Sequence, residues 1–134
     1  MNTTPPRWRH GTAPKTAVVL VNLGTPDAPT PKAVRRYLAE FLGDPRVVEI
    51  PRPVWMLILH GIILRVRPQK SAAKYATVWA DAGSPLMVHT QAQTRALEQR
   101  LRQAGHDLIV TWAMRYAGNG PNSIPAVLER LRTE

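Results

Sequence analysis

Apolar residues fall along this chain in blocks that switch between a strand rhythm and a helix rhythm. Residues 17–23, AVVLVNL, form one apolar run, the pattern of a strand buried on both faces of a parallel sheet. Gly24, Thr25 and Pro26 end it. Thr30 then stands as a helix N-cap, with Pro31 in the first helical position. Val34, Tyr37, Leu38, Phe41 and Leu42 follow at helical spacing, and Gly43 closes that helix.

Residues 46–50 read as a short extended piece. Pro51 and Pro53 frame a turn into residues 54–66, VWMLILHGIILRV, which predict a helix apolar nearly all round, broken by Pro68. Ala72, Tyr75, Ala76 and Trp79 make a further helical stripe that ends near Gly83. Ser84 and Pro85 repeat the cap-plus-proline start, opening a helix to about residue 104 with Leu97 and Leu101 on its buried side and Gly105 as its stop. Residues 107–113, DLIVTWA, predict a second buried strand. Met114, Arg115 and Tyr116 sit at its C-terminal end, followed by a loop of Gly, Asn and Pro. A last helix over residues 124–132 carries Ile124, Val127, Leu128 and Leu131 on one face.

This order, a strand, several helices, a strand and a helix, predicts an α/β fold with parallel strands joined by a helical crossover. Two strands fall short of the usual four to six or so of a sheet. The expectation is therefore an incomplete parallel α/β sheet with flanking helices, whose missing partners lie beyond Glu134. Residues 1–15, polar and rich in proline, read as a flexible arm, and 16–134 as a partial domain.

Composition narrows the chemistry. The 134 residues suit one domain, and 44% hydrophobic against 20% charged residues reads as globular rather than disordered. The absence of cysteine excludes a disulfide scaffold, thiolate zinc sites and a cysteine nucleophile. Lys and Arg number 18 against 9 acidic residues, a net charge of +9. Such a balance suits an anionic partner: nucleic acid, an anionic membrane surface or an acidic small molecule. It equally describes a basic solvated surface. The start carries no apolar core of a secretory signal, and the run over 54–66 is shorter than the roughly 20 residues that span a bilayer.

Two rival readings are open to test by motif. A nucleotide-binding α/β module wants G-x-G-x-x-G after the first strand. Here there is a single glycine, and Pro26 lacks the N–H that a phosphate cradle uses. A basic nucleic-acid-binding module fits the charge. Its arginines, however, are scattered over several helices, without a helix-turn-helix or an aromatic-basic strand motif. His60, His89 and His106 show no metal-ligand spacing.

The segments VNLGTPDAPTPKAVRRYLAEFLGDPRVVEIPR, RPQKSAAKYATVW, GSPL and AMRY, in that order, resemble the N-terminal part of ferrochelatase. The resemblance implies an enzyme of two Rossmann-like halves with a cleft between them. It implies ferrous iron and protoporphyrin IX as substrates, protoheme as product, and no cofactor held by these residues. The family's Ser-x-His-Gly-x-Pro motif, which carries the active-site histidine, is not in this sequence. His10-Gly11 and His60-Gly61 do not supply it. The catalytic residues are thus expected beyond Glu134, with no metal site in these residues and no activity from the chain alone.

For the porphyrin pocket the resemblance implies Leu23, Arg115 and Tyr116, with Arg65, Arg67, Ser84 and Pro85 around them. Related coproporphyrin-type chelatases carry tyrosine where Leu23 stands, so the leucine points to the protoporphyrin branch. Arginine can pair with a propionate in a bidentate fork, and tyrosine can stack on the ring. Residues 54–66 resemble the family's hydrophobic lip, with Trp55, Met56 and Ile63 as its exposed contacts. Arg65, Arg67, Lys70 and Lys74 follow the lip, and such a basic cluster suits propionates or anionic lipid. A cytoplasmic protein in peripheral contact with the inner membrane is the implied setting. Where the family reads Met-Arg-Tyr-Gly-Asn-Pro, this chain has the longer Met114-Arg115-Tyr116-Ala117-Gly118-Asn119-Gly120-Pro121.

Overall fold

A computed structural model describes Gly11 and residues 13–134. Of the arm expected over 1–15, residues 1–10 and 12 lie outside the described residues. Lys15 crosses to the far end of the chain, where its ammonium donates to the Glu134 carbonyl at 2.6 Å.

The described residues form two strands and five α-helices. Strand β1 (Ala17–Asn22) is followed by α1 (Pro31–Leu42), α2 (Arg52–Ile58), a π-helical turn (Leu59–Ile63), α3 (Leu64–Val78) and α4 (Pro85–Gln103). Strand β2 (Ile109–Met114) and α5 (Ile124–Thr133) complete them. The strands pair in parallel, from Ala17 opposite Ile109 to Asn22 opposite Met114. Four helices therefore make the crossover, and both strands end on the same edge.

The expectation of strands buried on both faces holds only at the C-terminal end of β2. Ala113 and Met114 are buried, whereas Val21 is 55% exposed and Ala17 is exposed. Helix α4 covers both strands and α5 covers β2, leaving part of β1 open.

The main apolar cluster lies between helices, not on the sheet. Val34 and Leu38 of α1 meet Trp55, Leu59, Leu64 and Ala72 of the long helical stretch. Complete burial of one such leucine stabilises by about 1.5–3 kcal/mol. Thr30 caps α1 by accepting the Ala33 N–H, and Gly43 ends it. Trp55 Nε1 donates to the Leu42 carbonyl at 2.6 Å, satisfying a group that the helix end leaves open.

Helical structure is unbroken from Arg52 to Val78, so Pro68 does not break it as expected. An α-helical N–H at 68 would bond to the Leu64 carbonyl. Leu64 has ψ −10°, against about −42° in a regular helix. The π-helical turn thus swings away the carbonyl that the proline ring would strike, and Pro68 sits buried inside α3.

Three smaller expectations also shift. Residues 46–50 are not extended: the Val47 and Val48 N–H groups fold back onto the Asp44 carbonyl at 3.0 and 3.2 Å. On α4, Leu97 and Leu101 are only half-buried, and Thr90 and Thr94 take the buried positions. Their hydroxyls donate to the carbonyls of Leu86 and Thr90 at 2.7 and 2.8 Å, so burial leaves no donor unpaired. On α5, Val127 is buried but Leu128 is 54% exposed, so its apolar face is narrower than its spacing suggests.

Candidate functional site

The shared edge of the two strands brings Leu23 beside Tyr116. The Arg115 N–H donates to the Asn22 carbonyl and the Tyr116 N–H to the Leu23 carbonyl, both at 2.9 Å. Backbone hydrogen bonding between the two segments thus runs past the ends of both strands. Leu23, 45% exposed, projects from this tip as an apolar side chain open to a ligand.

The turn after Leu23 is shaped by what it packs against. Gly24 has φ +130°, and a Cβ there would stand 2.8 Å from the Tyr116 carbonyl oxygen. Glycine is required by both conformation and contact. The turn offers a single glycine, and Pro26 two residues on has no N–H, so it lacks the donors of a phosphate cradle.

Helix α4 fastens the same turn. Thr25 Oγ1 donates to Ser84 Oγ at 2.6 Å, and Ser84 Oγ accepts the Met87 N–H as N-cap. Asn22 Nδ2 donates to Thr90 Oγ1 at 3.2 Å. Ser84 is 1% exposed, so it holds the tip from beneath, while Pro85 beside it is exposed.

On the other side the tip is tied to Asp44, in the turn after α1. The Tyr116 hydroxyl donates to Asp44 Oδ2 at 2.8 Å, and Arg115 Nη2 lies 3.4 Å from the same oxygen. The backbone N–H and Nε of Arg46 hold Oδ1 at 2.9 and 3.1 Å. These donors, the Arg46 N–H first and the Tyr116 hydroxyl next, bring the buried Asp44 carboxyl down to about 2. Burial, then the bond to Asp44, raises the Tyr116 phenol.

Tyr116 is buried, edge-on to Phe41 with ring centres 5.2 Å apart. The Arg115 guanidinium lies over its ring, 4.9 Å from the centroid, a cation–π contact. The two residues therefore differ in access: Arg115 reaches solvent, and Tyr116 supports it from below.

A cavity of about 330 Å³ adjoins the tip, lined by Pro26, Ala33, Tyr37, Tyr116 and Gly118 among others. Burial, with the neighbouring Tyr75, Tyr116 and Glu40, pushes the Tyr37 phenol up to about 12. The longer loop after Tyr116 is compact. Glu40 Oε2 accepts the Gly118 N–H at 2.9 Å, and the Met114 N–H donates to the Asn122 carbonyl at 2.7 Å.

The remaining expected residues stand elsewhere. Arg65 and Arg67 are exposed on α3, which packs chiefly on α1 and the π-helical turn. Trp55 is buried against α1, and Met56 and Ile63 are half-buried against the same cluster. They are not the exposed contacts of this helical stretch. Over residues 54–66 the exposed large apolar residues are Val54, Leu57, Ile62 and Val66, with Leu57 at 76%. An all-round apolar run gives no periodicity from which to tell its two faces. His60, His89 and His106 are exposed, and no group of three or more potential metal ligands gathers among the described residues.

The family model for ferrochelatase matches residues 15–134. The chain belongs to the ferrochelatase family. It is 64% identical over 129 residues to a ferrochelatase of Dechloromonas aromatica (strain RCB), covering 96% of this chain and 34% of that protein. It is 56% identical over 131 residues to a ferrochelatase of Janthinobacterium sp. (strain Marseille), covering 98% and 35%. The chain thus spans about a third of the length of the curated ferrochelatases it matches. No solved structure matches it. The parallel strands and helical crossover are those of the chelatase-type, Rossmann-like fold of the family. No helix among the described residues of this ferrochelatase-family chain is long and apolar enough to cross a membrane.

Proposed function

We propose that this chain forms one wall of the porphyrin pocket in an enzyme that inserts ferrous iron into protoporphyrin IX to give protoheme. The observation that carries this reading is that Leu23, Arg115 and Tyr116 meet at one end of the strand pair, the Arg115 N–H on the Asn22 carbonyl and the Tyr116 N–H on the Leu23 carbonyl. The wall offers an apolar side chain and an adjacent cation, which suits a flat macrocycle bearing propionates. Leu23 packs on the ring, and Arg115, braced by Tyr116, pairs with a propionate. Ser84 and Pro85 border the same wall through the Thr25 hydrogen bond.

Insertion replaces two pyrrole N–H protons with one Fe²⁺, so a base must take up two protons for each turnover. Binding energy that holds the ring distorted turns the pyrrole lone pairs out of plane, where a base and the metal can reach them. The residues of this chain supply walls and a cation to that task. The base is expected from the Ser-x-His-Gly-x-Pro motif, which these 134 residues do not contain. The chain by itself inserts no iron.

The exposed stripe of Val54, Leu57, Ile62 and Val66, with Arg65, Arg67 and Lys70 at its C-terminal end, suits an anionic membrane surface. We assign it as the peripheral contact with the cytoplasmic face of the inner membrane.

A chimera tests the reading. These residues would replace the matching third of the Dechloromonas aromatica relative. Iron insertion near that of the parent supports the assignment, whereas a folded chimera without iron insertion overturns it.

A further inference from the structure

Asp44 stands one residue beyond Gly43, the C-cap of α1. That is an unfavourable place for a carboxylate, because the negative end of the helix dipole points at it. It is also buried, so its charge requires donors. The two oxygens divide them. Oδ1 takes both bonds from Arg46, two residues away, and so closes the local turn. Oδ2 takes nothing local. Its partners are Tyr116 and Arg115, 72 and 71 residues further along the chain, at the tip of β2.

We propose that Asp44 is a positioning residue that holds the Arg115 guanidinium and the Tyr116 phenol in the arrangement the ligand meets. It touches no substrate itself. Its Oδ2 fixes the Tyr116 ring through the hydroxyl and draws Arg115 over that ring, so the cation is set before a propionate arrives. Preorganisation of this kind raises affinity by removing the ordering that binding would otherwise require. The groups that face Asp44 are Arg46 from its own turn and Arg115 and Tyr116 from β2. This inference rests on the porphyrin reading of Arg115.

The test joins two readouts on the 134-residue chain. Tyrosine ionisation is followed by near-ultraviolet absorbance in the unaltered chain, in Asp44→Asn and in Tyr116→Phe, which assigns the Tyr116 step. Protoporphyrin IX affinity is measured on the same three proteins. In Asp44→Asn the Tyr116 step moves to lower pH, and affinity falls about 2- to 10-fold, the loss of a modest hydrogen bond.

Tyr116→Phe leaves the Asp44 turn and the ring in place and gives a second reading if Asp44→Asn does not fold. The hydroxyl is held by Asp44, so a fall in affinity on its removal reports positioning rather than a lost ligand contact. An unmoved Tyr116 step, or unchanged affinity in both variants, overturns the positioning role. If the unaltered chain binds no porphyrin, the functional reading fails, and a moved Tyr116 step still upholds the Asp44 anchor.

Discussion

Gly24 and Tyr116 meet backbone to backbone: the space where a Gly24 Cβ would sit ends 2.8 Å away at the Tyr116 carbonyl oxygen. This contact sets the turn after β1 directly against the tip of β2. It follows that Leu23 and Arg115 keep a fixed relation, because each adjoins one partner of the contact.

Replacing Gly24 with alanine forces a side chain into a left-handed backbone and against that oxygen. Gly24→Ala is expected to lose about 1–3 kcal/mol of stability. It should also push the two strand tips apart. Thermal unfolding followed by circular dichroism measures the loss, and an unchanged midpoint would show that the contact is absent.

The helical stretch from Arg52 to Val78 predicts opposite outcomes for two leucines two residues apart. Leu59 is fully buried in the α1 cluster and Leu57 is 76% exposed. Leu59→Ala should destabilise by about 2–5 kcal/mol, through lost transfer energy and a cavity. Leu57→Ser should stay within about 0.5 kcal/mol of the parent. Urea unfolding of both separates the faces, and equal losses would contradict the burial pattern.

Acid should weaken the fold through Asp44. Its carboxyl lies at about 2 in the folded chain, below the ordinary 3.8. A lowered value means that the unfolded chain binds the proton first. The contribution of Asp44 is therefore complete above about pH 4 and is lost as pH falls towards 2. Asp44→Asn removes that part of the acid dependence, so its stability should fall less steeply over the same range. Urea midpoints at stepped pH decide it, and parallel curves would rule out a folded-state role for this charge.

Local signals were legible wherever a single residue carried a local rule. Thr30 and Ser84 as caps, Pro31 and Pro85 after them, and Gly43 and Gly105 at the helix ends all stand in the sequence, as do both strands. So does the apposition of Leu23 with Arg115 and Tyr116, which needs only two parallel strands ending together. Pro68 was misleading because its strain is relieved by a change at Leu64, which no pattern of apolar residues encodes. Trp55 was misplaced because a run apolar on all sides hides which face is buried. Asp44, Thr25 and Thr90 were missed because their roles are long-range hydrogen bonds. The one visible hint at Asp44 was a carboxylate just past a helix C-terminus, where a charge of that sign is unfavourable without partners.

The central claim is that Leu23 and Arg115 form part of a porphyrin wall. Titrating protoporphyrin IX with the chain and following its Soret band tests it most directly. A saturable shift that weakens in Arg115→Ala, and again in Leu23→Asp, is the predicted result. No saturable shift, or one indifferent to both substitutions, would contradict it.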